Sequence, residues 1–136
     1  LKERLLDSGY ENFFDNSKQK FIPRLNDCSL SVSTSNTTTF LETLSLNFPT
    51  IVFFNPIWHE VREDAKELVE SLRRVGIRHE TPSSAAIFLN GLDGNIKNWW
   101  GDEELQKVRE EFCNTYTLKN SDWSHQWQRL FESLKK

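Results

Sequence analysis

The stretch Cys28-Ser-Leu-Ser-Val-Ser-Thr-Ser-Asn-Thr-Thr-Thr-Phe-Leu-Glu-Thr-Leu-Ser-Leu-Asn-Phe-Pro-Thr-Ile-Val-Phe-Phe54 decides the fold. Cys28, Leu30 and Val32 alternate with Ser29 and Ser31, which is the period of a strand. The serine face is small enough for a helix to pack closely against it. A hydroxyl-rich turn, Ser33 to Thr39, leads into a predicted helix over residues 38–46, with Leu41 and Leu44 or Leu46 turned inward. Asn47 suits the left-handed residue that ends a helix, and Pro49 stops continuation. Thr50 to Phe54 is an unbroken apolar run apart from its first residue, as expected of a parallel strand covered on both faces. Strand, helix and strand form a βαβ unit, whose crossover is right-handed by strong rule.

Working outward, Val61, Ala65, Leu68, Val69 and Leu72 repeat at helical spacing and predict a helix from about His59 to Arg74, closed by Gly76. Ile77-Arg78-His79 reads as a short edge strand. Thr81-Pro82 is a helix start, threonine as N-cap and proline in the first turn, with Ala85, Ala86, Phe88 and Leu89 inward. Asp93-Gly94-Asn95 is a turn. Asp102 caps a helix carrying Leu105, Val108, Phe112 and Tyr116; Asn120 or Ser121 caps a last one carrying Trp123, Trp127, Leu130, Phe131 and Leu134. Upstream, Leu1 to about Asp7 reads as a helix remnant ended by Gly9. Residues 12–24 read as a surface connection that tucks Phe13, Phe14, Phe21 and Ile22 down, with Pro23 breaking any regular element.

The order β-α-β-α-β followed by helices predicts an α/β fold: a partial doubly wound, Rossmann-like parallel sheet with a helical carboxyl-terminal tail. Three units are expected: a connecting segment with a helix remnant (1–27), an α/β core (28–98) and a tail packed on that core (99–136).

With 136 residues, the chain is long enough for one domain with a real core. A net charge of −3 argues against a general nucleic-acid binder, which needs a basic face. No apolar run is long enough to span a membrane and no signal peptide opens the chain, so a cytoplasmic location is expected. The chain has no methionine and opens at Leu1 within a helical pattern, as expected of a fragment of a longer protein. Cys28 and Cys113 read as a reduced pair. The Asn36-Thr37-Thr38 sequon is discounted for want of any sign of secretion.

Ligands of open α/β sheets sit outside the carboxyl ends of the strands. Two loops lie there. In the first, the free N–H groups at the helix start, with Ser35, Asn36, Thr37, Thr38 and Thr39, suit a phosphate. Locally, however, Thr39 and Glu42 also fit a capping box, so Glu42 either reaches a ribose or caps the helix. The turn has no glycine and is neither a Walker loop nor a G-x-G-x-x-G fingerprint. The second loop offers Asn55, His59, Glu60 and Arg62 as cleft-lining groups. Arg62 could fork onto an oxyanion and His59 could transfer a proton, against the plainer reading of a solvated helix start. His59, His79 and His125 with the two cysteines lack metal-ligand spacing, and no Asp-x-Asp pair occurs to hold a divalent ion. No metal or cofactor is therefore expected. No nucleophile motif is recognisable. Trp99, Trp100, Trp123 and Trp127 suit either stacking on sugars or pinning terminal helices to the core.

The run from Ser33 to Pro56 resembles the carboxyl-terminal part of transferases from bacterial surface-carbohydrate clusters, related to GT-B glycosyltransferases. The resemblance continues through His59-Glu-Val-Arg62, Val75-Gly-Ile-Arg-His-Glu-Thr-Pro-Ser-Ser-Ala-Ala86, Trp99-Trp100 and Arg109-Glu-Glu-Phe-Cys113, and covers the chain from about residue 24. It implies a nucleotide-sugar donor held in a cleft against an amino-terminal acceptor domain of the same protein. Asn36, Thr37, Thr38 and Thr39 would line the donor phosphates and Glu42 would reach the ribose or sugar. Many GT-B enzymes have glycine where this chain has Ser35-Asn36. A non-catalytic interaction module and a sugar-nucleotide epimerase fragment stand as alternatives. A fragment of this kind is not expected to complete the reaction alone.

Overall fold

A computed structural model describes residues 15, 17–55, 57, 59–117 and 122–135. The expected helix remnant at residues 1–7, the aromatics Phe13 and Phe14, and the proposed caps Asn120 and Ser121 lie outside the described residues. The elements run α1 (Phe21–Arg24), a 3-10 turn, β1 (Ser31–Ser33), α2 (Thr38–Ser45), β2 (Thr50–Phe53), a second 3-10 turn, and α3 (Lys66–Arg74). They continue with β3 (Arg78–His79), α4 (Pro82–Gly91), α5 (Ile96–Trp100), α6 (Glu103–Tyr116) and α7 (Trp123–Ser133).

The three strands form one parallel sheet in the order β1-β2-β3, with Ser33 beside Val52 and Val52 beside Arg78. Both crossovers step the same way across the sheet, so right-handed connections put α2 and α3 on one face. The core agrees: Phe40 and Leu44 of α2, Leu72 of α3, Val52 of the central strand with Phe54 just past it, and Leu105 and Phe112 of α6 belong to one buried cluster. Leu44, Ile51 and Val52 are fully enclosed, each worth about 1.5–3 kcal/mol relative to exposure. The other face is covered by α4, which packs on β2 and β3. Among the described residues the strand order does not reverse.

α6 is the third member of the helical layer. It begins next to Trp100, whose indole N–H donates to the Asn47 side-chain oxygen at 2.9 Å, and it ends with Phe112 against Phe40. It therefore runs antiparallel to α2. Trp99 donates to the Val75 carbonyl at 3.0 Å. These two tryptophans pin helix to core, the second of the two readings of the sequence. Arg109 of α6 is buried, and its guanidinium donates to the Leu44 carbonyl at 3.1 Å and to Gln106 Oε1 at 2.9 Å. It supplies positive charge and a donor to the carboxyl end of α2, where the last carbonyls lack partners.

Several local readings hold. Asn47 adopts φ +54, Thr81 caps α4 in a reciprocal box with Ser84, and Asp102 Oδ1 accepts from the Leu105 N–H at 3.0 Å. Thr81→Ala removes the Ser84 N–H acceptor at 3.1 Å and is expected to cost about 1 kcal/mol in urea unfolding. Thr81→Ser should restore most of it, and a loss below a few tenths would discount the cap.

Others are corrected. The first strand starts at Ser31, not Cys28, because the Cys28 N–H donates back to the Leu25 carbonyl and holds a turn. Val32 is 48 % exposed at the sheet edge, whereas Ser33 is buried in the row with Val52. Phe21 and Ile22 are exposed rather than tucked down, and Pro23 sits inside the short α1, where the first helical turn tolerates it. Ala86 and Leu46 face outward. The helix expected from His59 begins as α only at Lys66, since Arg62 is extended (φ −55, ψ 147) and Asn55 Oδ1 takes the Ile57 N–H in a local turn. Cys28 and Cys113 are both free thiols. The tail expected to pack on the core divides: α6 does so, while α7 has no buried residue and leaves Trp123, Trp127 and Phe131 more than half exposed.

Candidate functional site

A cleft of about 370 Å³ opens where the carboxyl ends of β2 and β3 meet the helical layer. One wall is aromatic: Phe40 from α2, Phe54 just past β2, and Phe112 and Tyr116 from α6. The polar groups are few, namely Asn36, Glu60, Arg62 and Arg78. An apolar wall with a handful of polar groups is the usual make-up of a small-molecule site.

Asn36 stands at the mouth, one residue before the cap of α2. Thr37 is extended (φ −123, ψ 176) and acts as N-cap without any side-chain hydrogen bond to the helix. The expected capping box of Thr39 and Glu42 is therefore not formed. α2 starts at Thr38, so the third helical position is Phe40, which points into the core, and Glu42 is carried to the exposed side away from the cleft. The hydroxyls of the turn bond locally instead: Ser33 Oγ donates to the Ser35 carbonyl at 3.0 Å and Ser35 Oγ to Thr37 Oγ1 at 3.3 Å. These bonds shape the turn and leave the amino end of α2 without a side-chain cap, beside Asn36.

From the second loop, Glu60 and Arg62 line the cleft and Asn55 and His59 do not. The Arg62 guanidinium forks onto the Asp64 carboxylate at 2.7 and 3.1 Å and is 85 % exposed. It is a solvent-exposed pair ahead of the helix. The His59 ring stands edge-on to Phe54 at 5.8 Å.

The residue that reading the sequence passed over is Arg78. It is only 6 % exposed, and its Nε has no hydrogen-bond partner. Its guanidinium lies 4.8 Å from the centre of the Phe54 ring. Among the described residues no carboxylate reaches it within ion-pair distance. Glu70, nearby, is drawn to Arg73 at 2.6 Å, and that hydrogen bond first, with the charge of Arg78 as a lesser cause, holds its carboxyl below the ordinary value. The contrast with Arg109 is informative, because that buried arginine has its donors placed on a carbonyl, an amide and a carboxylate. Contact with an aromatic face returns about 0.5–2 kcal/mol, whereas desolvating an ion costs about several. Arg78 is thus a buried cation that lines the cleft without an ion-pair partner, Glu70 acting on it only at longer range. The available signal was the strand itself: a β3 residue paired in register with Val52, under helices, is ordinarily apolar.

His79, next along β3, donates through Nε2–H to the Gly76 carbonyl at 3.0 Å, a contact that places a proton on that nitrogen. Burial of the imidazole holds its pKa below the ordinary 6.5, with the Arg78 charge adding to the effect and the Gly76 carbonyl opposing it. Among the described residues no group of three histidine, cysteine or acidic side chains comes together as a metal site would need. No described helix is long and apolar enough to cross a membrane.

A family model described as the LIC12162 family transferase matches residues 1–131. The chain belongs to this family. Neither the comparison with curated proteins nor that with solved structures gives a match. For a LIC12162 family transferase, a cleft at the carboxyl ends of parallel strands, with a helix amino end and a buried cation beside it, is suited to an anionic ligand.

Proposed function

We propose that this chain is the donor-binding part of a glycosyltransferase-like enzyme, the carboxyl-terminal half of a GT-B-type protein acting in surface-polysaccharide biosynthesis. Its ligand is a nucleotide-sugar diphosphate, and the amino-terminal half supplies the acceptor site. The observation that carries this reading is the cleft, with Asn36 beside the uncapped start of α2 at one end and an aromatic wall for a base or sugar ring. Asn36, which lines the cleft, and the N–H groups of the helix start beside it would hold the phosphates, whereas Ser35, Thr37, Thr38 and Thr39 do not line the cleft themselves. Charge building on the leaving diphosphate would be met by fixed dipoles rather than by reorganising water.

The test is calorimetric titration of nucleoside diphosphates against the chain. Saturable binding is expected, weakened at least about tenfold by Asn36→Asp, which sets a carboxylate against the phosphates. Glu42→Ala, altering a side chain outside the cleft, should leave it unchanged. Absence of binding by every nucleoside diphosphate would sink the reading.

A second reading, an interaction module, is favoured by the α7 segment alone, where Trp123, Trp127, Leu130 and Phe131, with Leu134 just past the helix, are exposed apolar residues. Trp99 and Trp100 are taken up by the core and do not contribute to it.

A further inference from the structure

We propose that Arg78 is an oxyanion-binding, specificity-determining residue: the ligand of the cleft carries a phosphate or carboxylate group that reaches the floor beside Phe54 and pairs with the Arg78 guanidinium. The inference rests on the donor-site reading for the identity of the cleft and goes beyond it in assigning the floor.

The geometry points there in three steps. In register across the sheet, Ser33, Val52 and Arg78 occupy one row on the face covered by helices. Two strand spacings separate the first and third, about 10 Å. The floor is therefore a separate position from the amino end of α2, which follows β1. Next, the guanidinium is held but not neutralised. Phe54 supplies an aromatic face at 4.8 Å, and Nε remains without an acceptor at 6 % exposure. Finally, a guanidinium fork suits a planar or tetrahedral oxyanion better than any neutral group. The cleft's own carboxylate, Glu60, lies outside ion-pair range of it.

A ligand that spans both positions is a nucleotide sugar with its phosphates at α2 and an acidic sugar at Arg78. A ligand that uses only the floor places its phosphate there. Both share the oxyanion, and the experiment separates them.

The chain, Arg78→Gln and Arg78→Met are compared by thermal unfolding and by titration with inorganic pyrophosphate, a nucleoside diphosphate, and the same nucleotide linked to a neutral hexose or to a hexuronic acid. A buried cation without an ion-pair partner destabilises the empty protein, so Arg78→Met is expected to unfold a few degrees higher than the parent while losing at least tenfold in affinity for the anion that binds. Preference of the parent for the hexuronic acid, erased in both variants, assigns a carboxylate to the floor. Loss of pyrophosphate and nucleotide binding in the variants, without that preference, assigns a phosphate. Equal affinities of parent and variants would overturn the inference while leaving the donor-site reading intact. A lower unfolding temperature for Arg78→Met with every affinity unchanged would make Arg78 structural and also overturn it. If pyrophosphate and every nucleotide leave the parent's unfolding temperature unmoved, both readings fall.

Discussion

Trp100→Ala is expected to lower the unfolding free energy by about 3–5 kcal/mol, the range for emptying a large buried aromatic site. Against a total of about 5–15 kcal/mol for a domain, that loss is severe. Trp100 is 7 % exposed, and its N–H donates to both the backbone and side-chain oxygens of Asn47, at 3.1 and 2.9 Å. It joins the turn between α2 and β2 to the start of α6, so its removal loosens the layer that walls the cleft. Urea unfolding followed by circular dichroism measures the loss. Trp100→Phe keeps most of the volume and removes the N–H, so it should cost about 0.5–1.5 kcal/mol, the net worth of a hydrogen bond whose acceptors on the exposed Asn47 can turn to water instead. A cost for the alanine variant below about 1 kcal/mol would show that the site collapses readily and that Trp100 does not hold α6 in place.

Gly76→Ala is the second large effect, and its cause differs. Gly76 adopts φ +80, a left-handed conformation in which a Cβ is strained. The added carbon would also lie 2.3 Å from Phe88 Cζ. That ring is not free to swing aside, because it packs between His79, with centroids 5.1 Å apart, and Trp99, at 5.5 Å. Strain of about 1 kcal/mol and overpacking of about 1–3 kcal/mol give an expected loss of about 2–4 kcal/mol. Combining it with Phe88→Leu tests the origin. The double variant should recover the packing part and retain the strain, so the two changes should not add. Strict additivity would show that the ring is not what resists the Cβ. Gly76 precedes β3 by two residues, so the same substitution shifts the strand that carries Arg78 and should weaken ligand binding as well.

These two sites show where sequence and structure divide. The left-handed Asn47, the proline-led start of α4 and the Asp102 cap were legible because each rests on interactions within a few residues of chain. The βαβ unit was legible because apolar periodicity marks strands and helices before they meet. The Thr39–Glu42 box, one of the two readings open for Glu42, fits by spacing for the same local reason and does not form. Its spacing fits a cap, but burial of Phe40 starts α2 at Thr38 and carries Glu42 to solvent. His59 to Arg62 read as helix because the apolar repeat begins at Val61, whereas His59 lies in a bend with its N–H on the Asn55 carbonyl and Arg62 is extended. No local pattern reveals that Trp100 meets Asn47 across 53 residues, or that Arg109 meets the Leu44 carbonyl across 65.

The sequence by itself determined an α/β chain with a parallel sheet, a polar turn before a helix, and the loops from which a site is built. Only the tertiary structure decided which of those groups share a cleft. It brought Asn36, Glu60 and Arg62 to one opening, left Glu42 and Asn55 outside it, and set Arg78 on the floor. The physical reason is that secondary structure follows from periodicity and short-range hydrogen bonds, which are written along the chain. The burial of a charge depends on what three helices and a neighbouring strand place around it, and that is fixed only when the layers pack.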